Sequence, residues 1–396
     1  MSRLSASGDE RNDVATETIP FSRPFSTHRA LENLATVLAS DHAHGDGPFT
    51  ASATRKLNAL TGGGDALLTS SCTHALEMAF RLLEIGEGDE VILPTFTFPS
   101  VGDAVAATGA SAVFVDIDPA TGNADADQIA EAVGPRTRAI SIVHYGGMPA
   151  DLDRIMAIAD EHGLPVVEDN AHGLGVFVNG AALGRVGTFG TQSFHDTKNV
   201  HAGEGGALLI NDPRYQHAAE IMREKGTNRT QFLRGLTDKY TWVSWGSSYL
   251  PSELTAAVLD AQLDAFVEIQ DRRHSVWSSY RSRLQDWANS EAVTLMTPPG
   301  GIHAAHLFYV LAASGEDRDD LLQYTRARGV QTTFHYIPLD SSPAGRRFGR
   351  VTRPLDRAAD FSARLVRLPL WPSMTSGHVD RVIETVTSWH SPTRGR

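Results

Sequence analysis

The chain has 396 residues, with 35 Lys and Arg against 47 Asp and Glu for a formal net charge of −12, and is 41% hydrophobic. That length suits one large domain with a smaller one, and the acidic balance argues against nucleic acid or an anionic membrane surface as a partner. A lone cysteine, Cys72, excludes a disulfide framework and a four-cysteine zinc module, and no apolar run is long enough to span a membrane, so the chain reads as soluble and cytoplasmic.

Residues 1–18 are polar, carry Asp9, Glu10, Asp13 and Glu17, and read as a disordered leader. Strands and helices then alternate. Strands are expected at Ala66–Thr69, Glu90–Leu93, Ala112–Val115, Ala139–Val143 and Val166–Glu168. Between them, helical spacing marks Cys72–Ile85, Ser100–Thr108, Asp125–Val133 and Leu152–Glu161. This pattern implies βαβ crossovers and a mainly parallel sheet, in which ligands sit at the carboxyl ends of the strands. Beyond Asn211 come a helix over Arg214–Lys225, a polar and aromatic stretch at 226–249, and an amphipathic segment, Ser252–Ala288, expected to break near Asp271-Arg272-Arg273. Pro298-Pro299-Gly300-Gly301 marks a boundary before a small α/β region. The expected division is a large domain over 19–270, then a connecting helix and a small C-terminal domain over 271–396.

Gly62-Gly63-Gly64 lacks the strand and helix context of a dinucleotide loop and reads as a turn. The pairs His42/His44 and His303/His306 lack carboxylate or cysteine company at ligand spacing, so no metal is expected. Ser70-Ser71-Cys72-Thr73 lies between a strand end and a helix start, which suits either plain N-capping or a phosphate on free backbone N–H groups. Asp169 ends a strand buried on both faces, where a carboxylate is costly unless a cation is near. Only four lysines occur, Lys56, Lys198, Lys225 and Lys239, and Lys198 stands in a polar turn before the glycine-rich Ala202-Gly203-Glu204-Gly205-Gly206. A phosphate cradle, a buried aspartate and an imine-forming lysine are together what pyridoxal 5′-phosphate requires. Phe96 and Phe98, after a strand, are candidates to cover its ring.

These segments, with Gly45-Asp46-Gly47-Pro48-Phe49-Thr50, Ser193-Phe194-His195-Asp196-Thr197-Lys198-Asn199, Arg223-Glu224-Lys225-Gly226-Thr227-Asn228-Arg229, Asp238-Lys239-Tyr240-Thr241-Trp242 and Phe334-His335-Tyr336-Ile337-Pro338-Leu339, resemble the DegT/DnrJ/EryC/StrS sugar aminotransferases. The likeness runs from Ile19-Pro20-Phe21 to the C-terminal region and is nearest the branch acting on dTDP-4-keto-6-deoxyglucose. It implies an α/β, three-layer fold-type I architecture with a mainly parallel sheet, and pyridoxal phosphate as cofactor. Carried over by position, it makes Lys198 the Schiff-base lysine and Asp169 the partner of the pyridine nitrogen. His172 then lies beside the pyridoxal hydroxyl, Phe98 over the ring, and Cys72, Thr73 and Ser193 around the phosphate. Relatives send an asparagine from the other subunit to that phosphate; the aligned segment here has none, and Ser248 stands in its place.

The resemblance also implies L-glutamate as donor, a dTDP-4-keto-6-deoxy sugar as acceptor, and a homodimer with shared active sites. Lys225, Arg229 and Lys239 would meet the sugar diphosphate, and His335 and Tyr336 the sugar or a neighbouring loop. A 3-keto nucleotide-sugar aminotransferase of the same family is the alternative, because pocket shape decides which ring position reacts.

Overall fold

The short runs of β-branched and apolar residues form thirteen strands in the protein, a computed structural model that describes residues 18–393. All of the expected leader except Thr18 lies outside the described residues. The strands are β1 (Asp65–Thr69), β2 (Glu90–Pro94), β3 (Ser111–Val115), β4 (Thr137–Val143), β5 (Val166–Asp169), β6 (Phe177–Val178), β7 (Ala181–Ala182), β8 (Phe189–Ser193), β9 (Gly206–Ile210), β10 (Thr294–Leu295), β11 (Phe308–Leu311), β12 (Gly349–Val351) and β13 (Leu365–Leu368). Eight of them make the main sheet in the order β1-β9-β8-β5-β4-β2-β3-β12. Only β9 runs against the rest, pairing antiparallel with both β8 and β1. The carboxyl ends of the other seven therefore share one edge.

Side chains alternate between the two faces of each strand, and the core divides accordingly. Val91 and Leu93 join Ala112 and Phe114 beneath the helices Cys72–Leu82 and Pro99–Ala106. Ile92, Val113 and Val115 face the other way, toward the helices Ala126–Ala132 and Leu152–His162. Near β1 and β9 that second face is covered by Pro48–Leu60 and Glu253–Asp264. The result is a three-layer α/β sandwich. The first four expected strand and helix pairs fall within a few residues of their places because both periods were strong.

Three features depart from the sequence reading. The amphipathic segment breaks at Ala265, between the helices Glu253–Asp264 and Phe266–Arg283, and runs unbroken through 271–273. The charged run holds helix because the buried Arg273 donates from Nε to the Ala305 carbonyl and from Nη2 to that of His306. The helix expected over Arg214–Lys225 is a 3-10 turn, Pro213–Tyr215, followed by Gln216–Arg223, and it stops before Lys225, whose φ of 62° is left-handed. Lastly, β12 leaves the small C-terminal sheet, β10-β11-β13, and joins the main sheet beside β3.

An apolar cluster with Trp277, Tyr280, Phe308, Tyr309 and Phe361 packs the small sheet and continues onto Phe96 and Tyr145 of the large one. Among the described residues, no helix is long and apolar enough to cross a membrane. The stretch at 226–249 leaves the body as an arm containing one short helix, Arg229–Leu233. Its base is tight: a Cβ on Gly246 would lie 2.1 Å from the Gly226 nitrogen, so a side chain there is excluded. At that base Arg223 donates to both oxygens of Asp46 at 2.7 and 2.9 Å.

Glu253, fully buried, accepts from the backbone N–H groups of Gly47, Phe49 and Thr50 at 2.7–3.0 Å and from the Thr50 hydroxyl. A carboxylate at a helix N-terminus satisfies donors that the helix leaves unpaired. Replacing Glu253 by Ala strands those donors and should lower stability by about 3 kcal/mol, measured as the shift in urea midpoint. Lys56→Gln breaks the ion pairs with Asp260 and Asp264, one of them half-exposed; it should cost about 1 kcal/mol or less in the same assay.

Candidate active site

β5 ends in two carboxylates that point to opposite faces of the sheet. Glu168 faces the closed side, where it accepts from His144 Nε2 at 2.9 Å and from the backbone N–H groups of Gly184, Val186 and Gly187. The Ala150 N–H donates to His144 Nδ1, so the ring proton sits on Nε2. Burial alone pushes the Glu168 carboxyl up, but these bonds, led by that of His144, hold it below the usual range. Asp169, one residue on, faces a cavity.

Seven strand ends converge on that edge, and four supply the cavity floor. After β1, Ser71 caps the helix Cys72–Leu82 by accepting from His74 N, leaving Cys72 and Thr73 in its first turn. After β2 comes Phe98, before the helix Pro99–Ala106. β5 ends in Asp169, and β8 ends in Ser193 ahead of the turn holding Lys198. The C-terminal part of the chain closes the roof with His306, His335, Tyr336 and Arg367, giving a cavity of 1280 Å³.

Burial dominates the electrostatics. It pushes the Asp169 carboxyl up, a shift that the N–H of Ala171 at 3.0 Å and the charge of Lys198 only partly offset. Burial also pulls the Lys198 amine down to about 8, against the opposing pull of Asp169. The Cys72 thiol is pushed up, chiefly by burial and then by Asp169, so it stays protonated while its Sγ lies 3.5 Å from the Thr191 hydroxyl. His172 accepts from the Gly146 N–H at Nδ1, stacks on His306 at 4.1 Å, and is held neutral by burial and by Lys198. Asn199, next to Lys198, braces that stack through a 2.9 Å bond between its Oδ1 and His306 Nδ1. Tyr336 has a φ of 27°, a strained value for a non-glycine residue, and its carbonyl is pinned by the Ser362 hydroxyl at 2.6 Å.

Cys72, Thr73, Phe98, Asp169, His172, Ser193, Lys198, His335 and Tyr336 all line this one cavity, as their sequence contexts suggested. Ser248, Lys225, Arg229 and Lys239 do not. The first three stand at the base of the arm, where Lys225 and Arg229 lie 3.7 and 3.8 Å from Glu224 and Ser248 bridges to the same residue. Lys239 lies further out on the arm and is exposed. Arg367 and His306 are cavity residues that the sequence reading missed. A single arginine inside the apolar run Leu365-Val366-Arg367-Leu368-Pro369-Leu370 was the one available signal.

The residues present fit pyridoxal phosphate. A helix N-terminus can take the phosphate, and a Cβ on Gly206 would lie 2.4 Å from the Cys72 nitrogen, so β9 presses directly on that cradle. A desolvated amine and a buried carboxylate whose Oδ2 takes no hydrogen bond from any described residue complete the set. The sequence profile of the DegT/DnrJ/EryC1/StrS aminotransferase family matches residues 25–387. The chain belongs to this family.

Within the family, the chain is 32% identical over 377 residues to the spore coat polysaccharide biosynthesis protein SpsC of Bacillus subtilis, covering 93% of this chain and 96% of that one. The crystal structure of DesI in the presence of its TDP-sugar product is 30% identical, with a TM-score of 0.83 over 94% of this chain and 93% of that one. The sugar aminotransferase Spr1654 of Streptococcus pneumoniae, named as putative and solved in its PLP form, is 26% identical, with a TM-score of 0.86 over 94% and 98%. Family membership makes this chain a pyridoxal-phosphate-dependent sugar aminotransferase of fold-type I.

With four lysines in the chain, the Lys198 side chain can be followed individually by NMR after comparison with Lys198→Gln. Its amine should titrate near 8 in the cofactor-free protein. Asp169 favours the charged amine, so Asp169→Asn should move that midpoint lower still; a midpoint unmoved or raised would contradict the geometry.

Proposed function

We propose that this aminotransferase moves the amino group of L-glutamate to the C4 ketone of dTDP-4-keto-6-deoxy-D-glucose, giving a dTDP-4-amino-4,6-dideoxyhexose. The observation that carries the reaction is the burial of Lys198 and Asp169 in one cavity, within reach of each other's charge, beside a helix N-terminus. The choice of sugar rests on the segments at 45–50, 223–229 and 238–242 and on the 30% identity to DesI, described with a TDP-sugar product.

Pyridoxal phosphate, when bound, supplies an aldehyde that carries the amino group and a ring that accepts an electron pair. In this reading Lys198 anchors the aldehyde through Nζ and, once displaced by an incoming amine, takes a proton from the substrate carbon and returns it elsewhere. An amine titrating near 8 is suited to both directions at neutral pH. Asp169 keeps a proton on the pyridine nitrogen, and its position in a dry wall strengthens that contact. The first-turn N–H groups at Cys72 and Thr73, with Ser193, would hold the phosphate. His172, whose Nδ1 is occupied by Gly146, would donate toward the pyridoxal hydroxyl. Phe98 and Tyr336 bound the space where a sugar ring enters.

The arm supports a homodimer. Its apolar Leu236, Trp242, Val243 and Trp245 are all exposed, Trp242 by 76%, in the same stretch of chain that carries Arg229 and Lys239. Seated on a second copy, the arm would bring Lys225, Arg229, Lys239 and Ser248 to the partner's cavity, where a diphosphate needs counter-charge.

Incubating the protein with glutamate and a panel of 3-keto and 4-keto nucleotide sugars, with mass detection, tests the reading: an amino sugar from the 4-keto substrate is expected, and one only from a 3-keto substrate overturns the choice of ring position. Lys198→Arg keeps the charge but cannot exchange the aldehyde, so turnover should fall by about 10³-fold or more, and borohydride should no longer fix pyridoxal phosphate at residue 198. Trp242→Asp with Val243→Asp should shift the sedimentation of the native dimer toward monomer and lower turnover with it.

A further inference from the structure

We propose that Arg367 forms the carboxylate-binding subsite for the amino donor, an inference that rests on the aminotransferase reading above. Arg367 projects from β13 of the small domain into the cavity. Its backbone is fixed on both sides, donating to the Thr333 carbonyl at 2.7 Å and accepting from the Thr333 N–H at 3.2 Å. The Phe21 ring lies 4.6 Å from the guanidinium carbon, which covers one face of the plane. Phe21 is itself held, because its N–H donates to the Gln331 side chain and the preceding Ile19 bridges to Val330.

The Arg367 guanidinium makes no hydrogen bond to any described residue, and its Nε is sealed from solvent without a partner. Three cations line the cavity: Lys198, Arg273 and Arg367. Lys198 feels the opposite charge of Asp169, and Arg273 spends its Nε and Nη2 on two carbonyls. The neighbours that act on Arg367 are the phenols of Tyr145 and Tyr336, which are neutral. The remaining acids of the cavity wall, Asp103 and Glu204, form no ion pair with it. A desolvated guanidinium with one face covered and its N–H edge unused is built for a planar bidentate anion that arrives with the substrate.

Of the anions in this reaction, only the donor's carboxylate suits the place. The cofactor phosphate has the first turn of Cys72–Leu82, on the opposite domain. In the sugar, the diphosphate stands across the pyranose ring from the reacting C4. Arg367, by contrast, is close enough to Lys198, His172, His335 and Tyr336 for its charge to bear on each of them. Glutamate offers a carboxylate on the carbon that reacts and a second on its side chain, and the chemistry of the subsite suits either.

The test uses the pyridoxal-phosphate-loaded enzyme and glutarate, a dicarboxylate without an amine. Calorimetric titration should show glutarate binding to the native protein, about 10- to 100-fold weaker binding to Arg367→Gln, and partial recovery in Arg367→Lys. In single-turnover experiments kcat/KM for glutamate should fall by a similar factor, while the half-reaction with the keto sugar stays within about threefold. Comparing alanine with 4-aminobutyrate as donors identifies the carboxylate: the donor lacking the recognised group is insensitive to Arg367→Gln. Equal loss in both half-reactions, or native-like glutarate binding by a folded Arg367→Gln, overturns the proposal. If the native enzyme aminates none of the sugars while glutarate binding still depends on Arg367, the donor subsite stands and the acceptor assignment falls.

Discussion

The structure is organised around one constraint, that an amine and a carboxylate must share one cavity out of water, each within reach of the other's charge. Full burial of either alone is prohibitive. Together they are tolerable, and burial leaves its mark on both, pushing the Asp169 carboxyl up and the Lys198 amine down. Two backbone devices make the pair possible. The alternation of β5 sends Glu168 into a closed polar nest on one face and so frees Asp169 for the other. The turn after β8 returns Lys198 to the same edge, and Asn199 locks the histidine stack behind it.

The parts of this arrangement legible in the sequence were those set by local period and by scarcity. The first strands and helices were readable because apolar residues recur at two or at three and four positions, and the lysine because so few compete with it. Less legible were features decided by distant partners. Nothing around Asp271-Arg272-Arg273 announces that the Arg273 guanidinium will find the carbonyls of Ala305 and His306 and so keep the helix whole. The return of Gly349–Val351 to the main sheet was equally hidden, because three residues carry too little pattern to mark a strand. The cations at 225, 229 and 239 were readable as a group, but sequence order could not tell that they would stand outside the cavity lining of their own chain.

Several segments that suggested substrate recognition also have a mechanical role. Asp46 and Gly47 sit in such a segment, yet Asp46 pairs with Arg223 and Gly47 donates to Glu253. These contacts fix the base of the arm against the helix Pro48–Leu60. Lys225, with a left-handed φ of 62°, stands where the helix Gln216–Arg223 gives way to the arm. Lys56, the lysine with no evident chemistry, belongs to the same framework: it ties Pro48–Leu60 to Asp260 and Asp264.

A transaminase must accept two unlike partners in turn, here an anionic amino acid and a sugar whose reacting end is neutral. A cavity rich in fixed charge would suit one and repel the other. This one keeps its histidines neutral: burial lowers His172, His306 and His335 together, and His172 further depresses the other two. Their rings then offer polar but uncharged walls to the sugar. Charge is confined to a few groups whose partners change with the cycle, and an arginine with one face against Phe21 is the least costly cation to leave waiting, because the aromatic face offsets part of its desolvation while the N–H edge stays free. The neutrality of the histidines and the isolation of that arginine are thus two consequences of the same burial that sets the lysine.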